Sequence, residues 1–114
     1  AFDLPGLVAV GALEAAPGTL PGWQPAPYST QGTYVDISAP GTDLNCPLPG
    51  GGTGSCTGTS FATPLVAGAM ALWLQADPSL TPAQVYQKLT QHAKPLPYPP
   101  QAVGAGVLDL SQRP

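Results

Sequence analysis

The stretch Gly58-Thr59-Ser60-Phe61-Ala62-Thr63-Pro64-Leu65-Val66-Ala67-Gly68 carries more information about the fold than any other part of the chain. It opens a run of small and apolar residues that continues to Gln75 and stops at Asp77-Pro78. A Ser/Thr cap, a proline in the first turn and good helix formers predict a helix over residues 60–75. Because this helix is apolar on nearly every side, we expect most of its side chains to be buried inside a domain.

A serine at the start of a helix is usually only a cap, but the surroundings of Ser60 favour a catalytic role. Gly58 allows close approach of the backbone, and the N–H groups and positive dipole end of the helix point at whatever is bonded to the hydroxyl. This arrangement favours a developing oxyanion. Ser60 is therefore the candidate nucleophile, with Gly58 and Thr59 as its turn. Thr59 either supports the oxyanion hole or only shapes the turn.

Two short segments upstream of the serine predict strands. Leu7–Leu13 (LVAVGAL) is almost wholly apolar and lies between Pro-Gly pairs, as is typical of a central strand buried on both faces. Val35–Ala39 (VDISA) has strand-like alternation and predicts a second, shorter strand. Between them, prolines recur too often from Pro17 to Tyr28 for regular structure.

Residues 44–56 (LNCPLPGGGTGSC) predict a hairpin with a Gly-rich tip. Cys46 and Cys56 lie ten positions apart in its arms, which suits a local disulfide in an exported protein. Two thiols and a single histidine, His92, are too few for a zinc shell, so we predict no metal site here.

The segment after the apolar helix predicts a surface helix over residues 81–93. It opens with a Thr-Pro-x-Gln capping box, and Val85 and Leu89 form its one apolar stripe. The Pro-rich patch that follows is typical of a loop, and residues 104–110 (GAGVLDL) predict a final short strand or turn.

The charge of the chain excludes two classes of partner. Its three basic residues against six acidic ones give a net charge of −3, so no basic stripe exists to bind nucleic acid or anionic lipid. The longest apolar run, Leu65 to Leu74, is about half the ~20 residues needed to cross a bilayer. Only 8% of residues are charged, so we expect much of the surface to be neutral or covered by a partner segment.

The stretch from Gly58 to Gly68 resembles the nucleophile motif of the subtilisin-like serine proteases (peptidase family S8), Gly-Thr-Ser-x-Ala-x-Pro-x-Val-Ala-Gly, at every defined position. Leu65 stands where the family often has His, a position outside the catalytic triad. The resemblance extends over residues 7–110. It implies that residues 1–114 form the C-terminal fragment of a peptidase domain of α/β fold, a three-layer structure with a mainly parallel sheet, a buried nucleophile helix and a surface C-terminal helix.

The same resemblance implies a secreted or extracytoplasmic serine endopeptidase that acts on proteins or peptides. In this family the order of the triad is Asp, His, Ser, and no histidine precedes Ser60. The triad partners and the oxyanion-hole amide are therefore expected in an upstream segment of the same domain, and this fragment alone is expected to be inactive. Calcium is a candidate ion of the intact protein, but no acidic loop of EF-hand type is present, so we assign this chain no cofactor.

Three alternatives compete with this interpretation. Ser60, Asp77 and His92 follow the Ser, Asp, His order of α/β hydrolases, but the G-x-S-x-G elbow of that fold is missing. Three carboxylates could act as general bases, but their positions are more typical of turns and strand ends: Asp36, Asp43 and Asp109. Finally, the chain could be a non-catalytic protease remnant or binding module, and the sequence upstream of Ala1 would discriminate between these functions.

Overall fold

The computed structural model describes residues 7–15 and 22–111. Five strands are followed by three helices in these ranges, and the parallel pairing of two of the strands beneath the helices confirms the α/β class. The strands are β1 (Val10–Ala15), β2 (Trp23–Pro25), β3 (Ile37–Pro40), β4 (Leu44–Pro47) and β5 (Thr53–Cys56). The helices are α1 (Thr59–Ala76), α2 (Pro82–Gln91) and α3 (Pro100–Val103).

The main sheet has the strand order β2-β1-β3. β1 and β3 are parallel, with Val10 opposite Ile37 and Leu13 opposite Pro40. The predicted central position of β1 is confirmed, although the strand begins and ends later than the apolar run. β2 pairs antiparallel with the end of β1 and was not predicted, because Pro25 argued against a strand. An edge strand tolerates such a proline, since one side of its backbone needs no ladder donor.

Side chains of the main sheet alternate between two cores, as the pleat requires. Ala12, Ile37 and Ala39 face the helical layer, where α1 and α2 contribute the buried residues Ala62, Val66, Ala69, Val85 and Leu89. Leu13 faces the opposite side and packs on Ala102 and Val103 of α3 and on Val107. The sheet is therefore covered on both faces.

α1 confirms the predicted helix but not its predicted environment. Only Ala62, Val66 and Ala69 are buried in it, so the expectation that most of its side chains are buried is wrong for this chain. The large apolar residues that remain exposed on it are Phe61, Leu65, Leu72 and Leu74. The physical reason is that the sheet and α2 contact one side of the helix, and no other described residue covers the rest.

The sequence predicted a cap at the N-terminus of each of α1 and α2, and only the cap of α2 is confirmed. The residue before α1 is Gly58, and no side chain caps this end, so the predicted Ser/Thr cap is wrong. At α2 the capping box is present: the Thr81 hydroxyl accepts from the Gln84 N–H at 3.3 Å, and the Gln84 side chain accepts from the Thr81 N–H at 2.9 Å. Among the described residues, no helix has the length and apolarity needed to span a membrane.

The C-terminal part differs from its prediction in detail. α3 was not predicted; it begins at Pro100, the last residue of the Pro-rich patch expected to be a loop, and the missing N–H of proline has no cost at a helix start. Residues 104–110 form no named strand, but Gly104 and Ala105 form a turn, so the turn alternative of the prediction is confirmed. Val107 makes single bridges to Ser38 of β3 and to Lys94, which hold the end of the described chain against the sheet.

Candidate active site

Ser60 lies in the first turn of α1 and is exposed. The turn before it is attached to the end of the sheet, because the Gly58 N–H donates to the Gly41 carbonyl at 2.7 Å, just past β3. Gly41 in turn donates its N–H to the Leu13 carbonyl of β1 at 3.0 Å. The candidate nucleophile thus stands at the carboxyl edge of the two parallel strands, where open α/β sheets bind their ligands.

Gly58 adopts a backbone conformation that side chains strongly disfavour, with φ 145° and ψ 160°. Its carbonyl accepts the Phe61 N–H at 3.0 Å, so the chain turns sharply into the helix. Gly41 is needed for a different reason. A Cβ at that position would lie 2.9 Å from the Gly58 carbonyl oxygen and 3.0 Å from the Ala12 Cβ, so only glycine permits this approach.

The N-terminus of α1 offers an electropositive surface beside Ser60. The helix is 18 residues long, has no acidic residue in its first turn and has no side-chain cap at Gly58. Its first N–H groups and its dipole favour a negative charge there, as the sequence predicts. Thr59 is tied to the helix, since its carbonyl accepts the Thr63 hydroxyl at 2.9 Å.

The hairpin of β4 and β5 leads directly into this turn, and the structure joins Cys46 to Cys56 in a disulfide, which confirms the predicted pairing. At the base of the hairpin, Asp43 donates its N–H to the Thr57 hydroxyl at 3.0 Å and accepts the Ser55 hydroxyl at 3.1 Å. Sequence reasoning assigned Asp43 to a turn but missed Thr57 and Ser55. Neither residue carries a signal in the sequence, because the contacts depend on the hairpin register.

Comparison with known proteins adds the family. The model of the Subtilase family matches residues 3–106. This chain belongs to the subtilase family. Subtilisin from Bacillus pumilus is 44% identical to it over 89 residues, which cover 78% of this chain and 30% of the relative. Subtilisin E from Bacillus subtilis is 43% identical over 89 residues, covering 78% of this chain and 22% of that protein.

Solved structures give the same result. Fervidolysin from Fervidobacterium pennivorans, a keratinolytic enzyme related to subtilisin, superposes with a TM-score of 0.81 at 26% identity, covering 93% of this chain and 18% of that one. MycP1, a serine protease of the type VII (ESX-1) secretion system, superposes with a TM-score of 0.71 at 33% identity, covering 90% and 29%. This subtilase chain therefore spans less than a third of the length of these relatives.

The rival triad does not assemble in this subtilase. Asp77 follows the last residue of α1, 17 positions after Ser60, which at 1.5 Å per residue places them roughly 25 Å apart along the helix axis. His92 follows α2, and its ring stacks on Trp73 at 5.2 Å, near the same end of α1. The geometry contradicts an α/β-hydrolase arrangement of these residues.

Asp36 and Asp109, the other carboxylates considered as general bases in this subtilase, have structural partners. Asp36 accepts the Ala9 N–H at 2.8 Å and the Tyr86 hydroxyl at 2.9 Å, so it links the start of β1 to α2. Asp109 accepts the Ser111 N–H at 2.8 Å, and hydrogen bonding by Ser111 lowers the pKa of the Asp109 carboxyl. Within residues 7–15 and 22–111, no three His, Cys, Asp or Glu side chains are grouped so that they could hold a metal ion.

Proposed function

We propose that this chain supplies the nucleophile, Ser60, of a serine endopeptidase whose histidine and aspartate come from an upstream segment of the same domain. One observation supports this above all. In a member of the subtilase family, the serine of a fully matched Gly-Thr-Ser motif stands in a glycine turn at the N-terminus of a long helix, at the carboxyl edge of the sheet. The proposed substrates are proteins or peptides.

The proposed reaction uses this chain for attack and for charge stabilisation. The upstream histidine takes the proton of the Ser60 hydroxyl as the oxygen attacks the scissile carbonyl carbon. The backbone N–H of Ser60, backed by the dipole of α1, donates to the oxyanion that forms. The histidine then protonates the leaving amine. Water, activated by the same histidine, attacks the acyl ester, which releases the acid product and restores the Ser60 hydroxyl.

The uncovered surface of the chain supports an upstream partner segment. Phe61, Leu65 and Leu72 are spaced by four and seven positions, so they lie on one stripe of α1, and each is more than a third exposed. β2 pairs only with the last three residues of β1, and the Ala26 N–H and the Ser29 hydroxyl bond the backbone of Ala12, so the edge of β1 lies beside no strand only before Ala12 among the described residues. An apolar face and a sheet edge are the features that a second half of a domain would cover.

The disulfide supports export. A cross-link between Cys46 and Cys56 persists in oxidising compartments and is rare in the cytosol, so we propose a secreted or extracytoplasmic location. The bridge can be checked by peptide mapping without reductant. If both thiols are alkylated in protein isolated from such a compartment, this part of the proposal is lost.

The test of the nucleophile uses the completed protein, meaning this chain with its upstream segment. It should hydrolyse peptide bonds and react with a fluorophosphonate probe at Ser60, and Ser60→Ala should abolish both. Magnitudes measured in subtilisin, a member of this family, set the expected loss at about 10⁶-fold in turnover. Ser79→Ala, in an exposed turn, is the matched control and should keep full activity.

Two outcomes would contradict the proposal. Labelling of a different serine would show that Ser60 is not the nucleophile. If the completed protein neither labels nor hydrolyses peptides, the chain belongs to a non-catalytic remnant kept for binding.

A further inference from the structure

The hairpin of β4 and β5 is joined to Ser60 by only three residues, Thr57, Gly58 and Thr59. The hairpin base therefore lies next to the turn that carries the proposed nucleophile, with no flexible linker between them. Two hydrogen bonds connect the chain before β4 to the chain after β5. The Gly58 N–H donates to the Gly41 carbonyl at 2.7 Å, and the Asp43 N–H donates to the Thr57 hydroxyl at 3.0 Å.

Asp43 is the non-glycine residue with positive φ, 54°, among those the structure describes. Such a conformation costs free energy, and aspartate tolerates it better than most residues. It persists here because the N–H of Asp43 donates to Thr57 while its carboxylate accepts the Ser55 hydroxyl. Asp43 thus joins the first strand of the hairpin to the last residues before Gly58.

The hairpin has little else to keep it closed. β4 and β5 form a sheet of their own with four residues each, and their outward positions are exposed. The tip contains Gly50, Gly51 and Gly52, all with positive φ and with open space around them. An isolated two-stranded hairpin is marginally stable in water, so the Cys46–Cys56 bridge supplies the closure that packing does not.

We propose that the Cys46–Cys56 disulfide and Asp43 are positioning residues for Ser60. The bridge holds β5 against β4, and Asp43 transfers this constraint to Thr57 and Gly58, so that the hydroxyl and the N–H of Ser60 keep one geometry. The inference rests on the proposed function, because it concerns the reactivity of the same serine. We expect these residues to affect kcat more than KM, because neither cysteine is proposed to contact the substrate.

The first test is the double variant Cys46→Ser/Cys56→Ser in the completed protein, which leaves no unpaired thiol. The rate of fluorophosphonate labelling at Ser60 and kcat should fall roughly ten- to a hundredfold, the size expected for a displacement of about 1 Å. KM should change little. Labelling is measured well below the unfolding temperature, and circular dichroism verifies that the variant is folded.

The second test uses the folded wild-type protein, so it does not depend on the folding of a variant. A water-soluble phosphine reduces the bridge of the native protein: the S–S bond breaks, each sulfur gains a proton, and phosphorus takes the oxygen of one water molecule as phosphine oxide. Labelling at Ser60 should slow as the thiols appear and recover after reoxidation. The same phosphine should not change labelling of the double variant, which is the control for side effects.

Asp43 variants separate positioning from mere stability. Asp43→Asn keeps an acceptor for Ser55 and tolerates positive φ, so it should retain most of the labelling rate, whereas Asp43→Ala should slow it. If the wild-type protein labels and the reduced protein and Asp43→Ala label equally fast, the positioning role is wrong while the proposed function stands. If the wild-type protein itself does not label, the proposed function fails first.

Discussion

At the scale of single residues, the candidate site depends on backbone geometry more than on side chains. Gly58 holds φ 145° and ψ 160°, Gly41 lies where a Cβ would meet the Gly58 carbonyl, and Ser60 follows in the first helical turn. The serine hydroxyl would have the same intrinsic chemistry in any turn. Its proposed reactivity comes from the helix end and the sheet edge to which these glycines attach it.

Gly58→Ala tests this dependence. A Cβ at Gly58 would find its nearest neighbours at 3.8 Å, so the substitution adds backbone strain without a clash. We expect a loss of roughly 1–3 kcal/mol of folding stability and slower fluorophosphonate labelling in the completed protein. Gly52→Ala is the matched control, because Gly52 has positive φ and open space at the hairpin tip. It should cost stability but leave labelling unchanged, and equal labelling by both variants would refute the role of Gly58.

Much of the candidate site was predictable from the sequence, for identifiable reasons. Ser60, Gly58 and the Cys46–Cys56 pair are close in sequence and carry motif or spacing signals. Gly41 and Thr57 were missed as site residues, because their roles arise from contacts between segments: Gly41 with Gly58, and Thr57 with Asp43. Contacts that depend on register leave no trace in composition or periodicity.

At the scale of secondary structure, the same distinction holds. α1 follows from its run of good helix formers, α2 from its capping box and apolar stripe, and the hairpin from its Gly-rich turn. β2 and α3 were missed, because each contains or follows prolines that discourage a regular element in isolation. Tertiary context explains both: β2 is an edge strand, and α3 is fixed by packing of Ala102 and Val103 on Leu13.

The link between α1 and α2 makes a prediction on pH. Hydrogen bonds from the Ser79 hydroxyl and N–H lower the pKa of the exposed Asp77 carboxyl from its usual value. Because the folded-state pKa lies below the unfolded one, this turn adds stability above about pH 3.9 and loses it as the pH falls through the folded-state pKa.

Carboxyl titration by NMR in the inactive Ser60→Ala protein should therefore give Asp77 a midpoint below the usual pKa of an aspartate, and Ser79→Ala should move it back towards that usual value. Asp109 is the internal control. Its pKa is lowered by Ser111 instead, so Ser79→Ala should not change its midpoint. An Asp77 midpoint that does not respond to Ser79→Ala would contradict the assigned cause.

At the scale of the whole molecule, the burial of α1 is the main difference between sequence and structure. The apolar composition of the helix predicts burial on nearly every side, but the described chain covers one side of it only, so that prediction is wrong for this chain. The chain spans 30% or less of the subtilisins it matches, so the amount of covering surface is small. The apolar composition of a helix indicates how much of its surface is suited to burial, and the segments that pack on it determine how much is buried.

The uncovered stripe of α1 predicts different effects of the same two substitutions in this chain alone and in the completed protein. Leu65 and Leu72 are 41% and 38% exposed and share the uncovered stripe of α1. In this chain alone, Leu65→Glu/Leu72→Glu should reduce concentration-dependent self-association in sedimentation velocity, since it breaks a contiguous apolar patch. In the completed Ser60→Ala protein the same change should destabilise folding against denaturant, because the proposed upstream segment would bury two unpaired charges. Leu48→Glu, at a hairpin residue 45% exposed, is the control and should have little effect in either background. A monodisperse monomer of the unaltered chain, together with unchanged stability of the completed variant, would show that this face of α1 is an ordinary solvent-exposed surface.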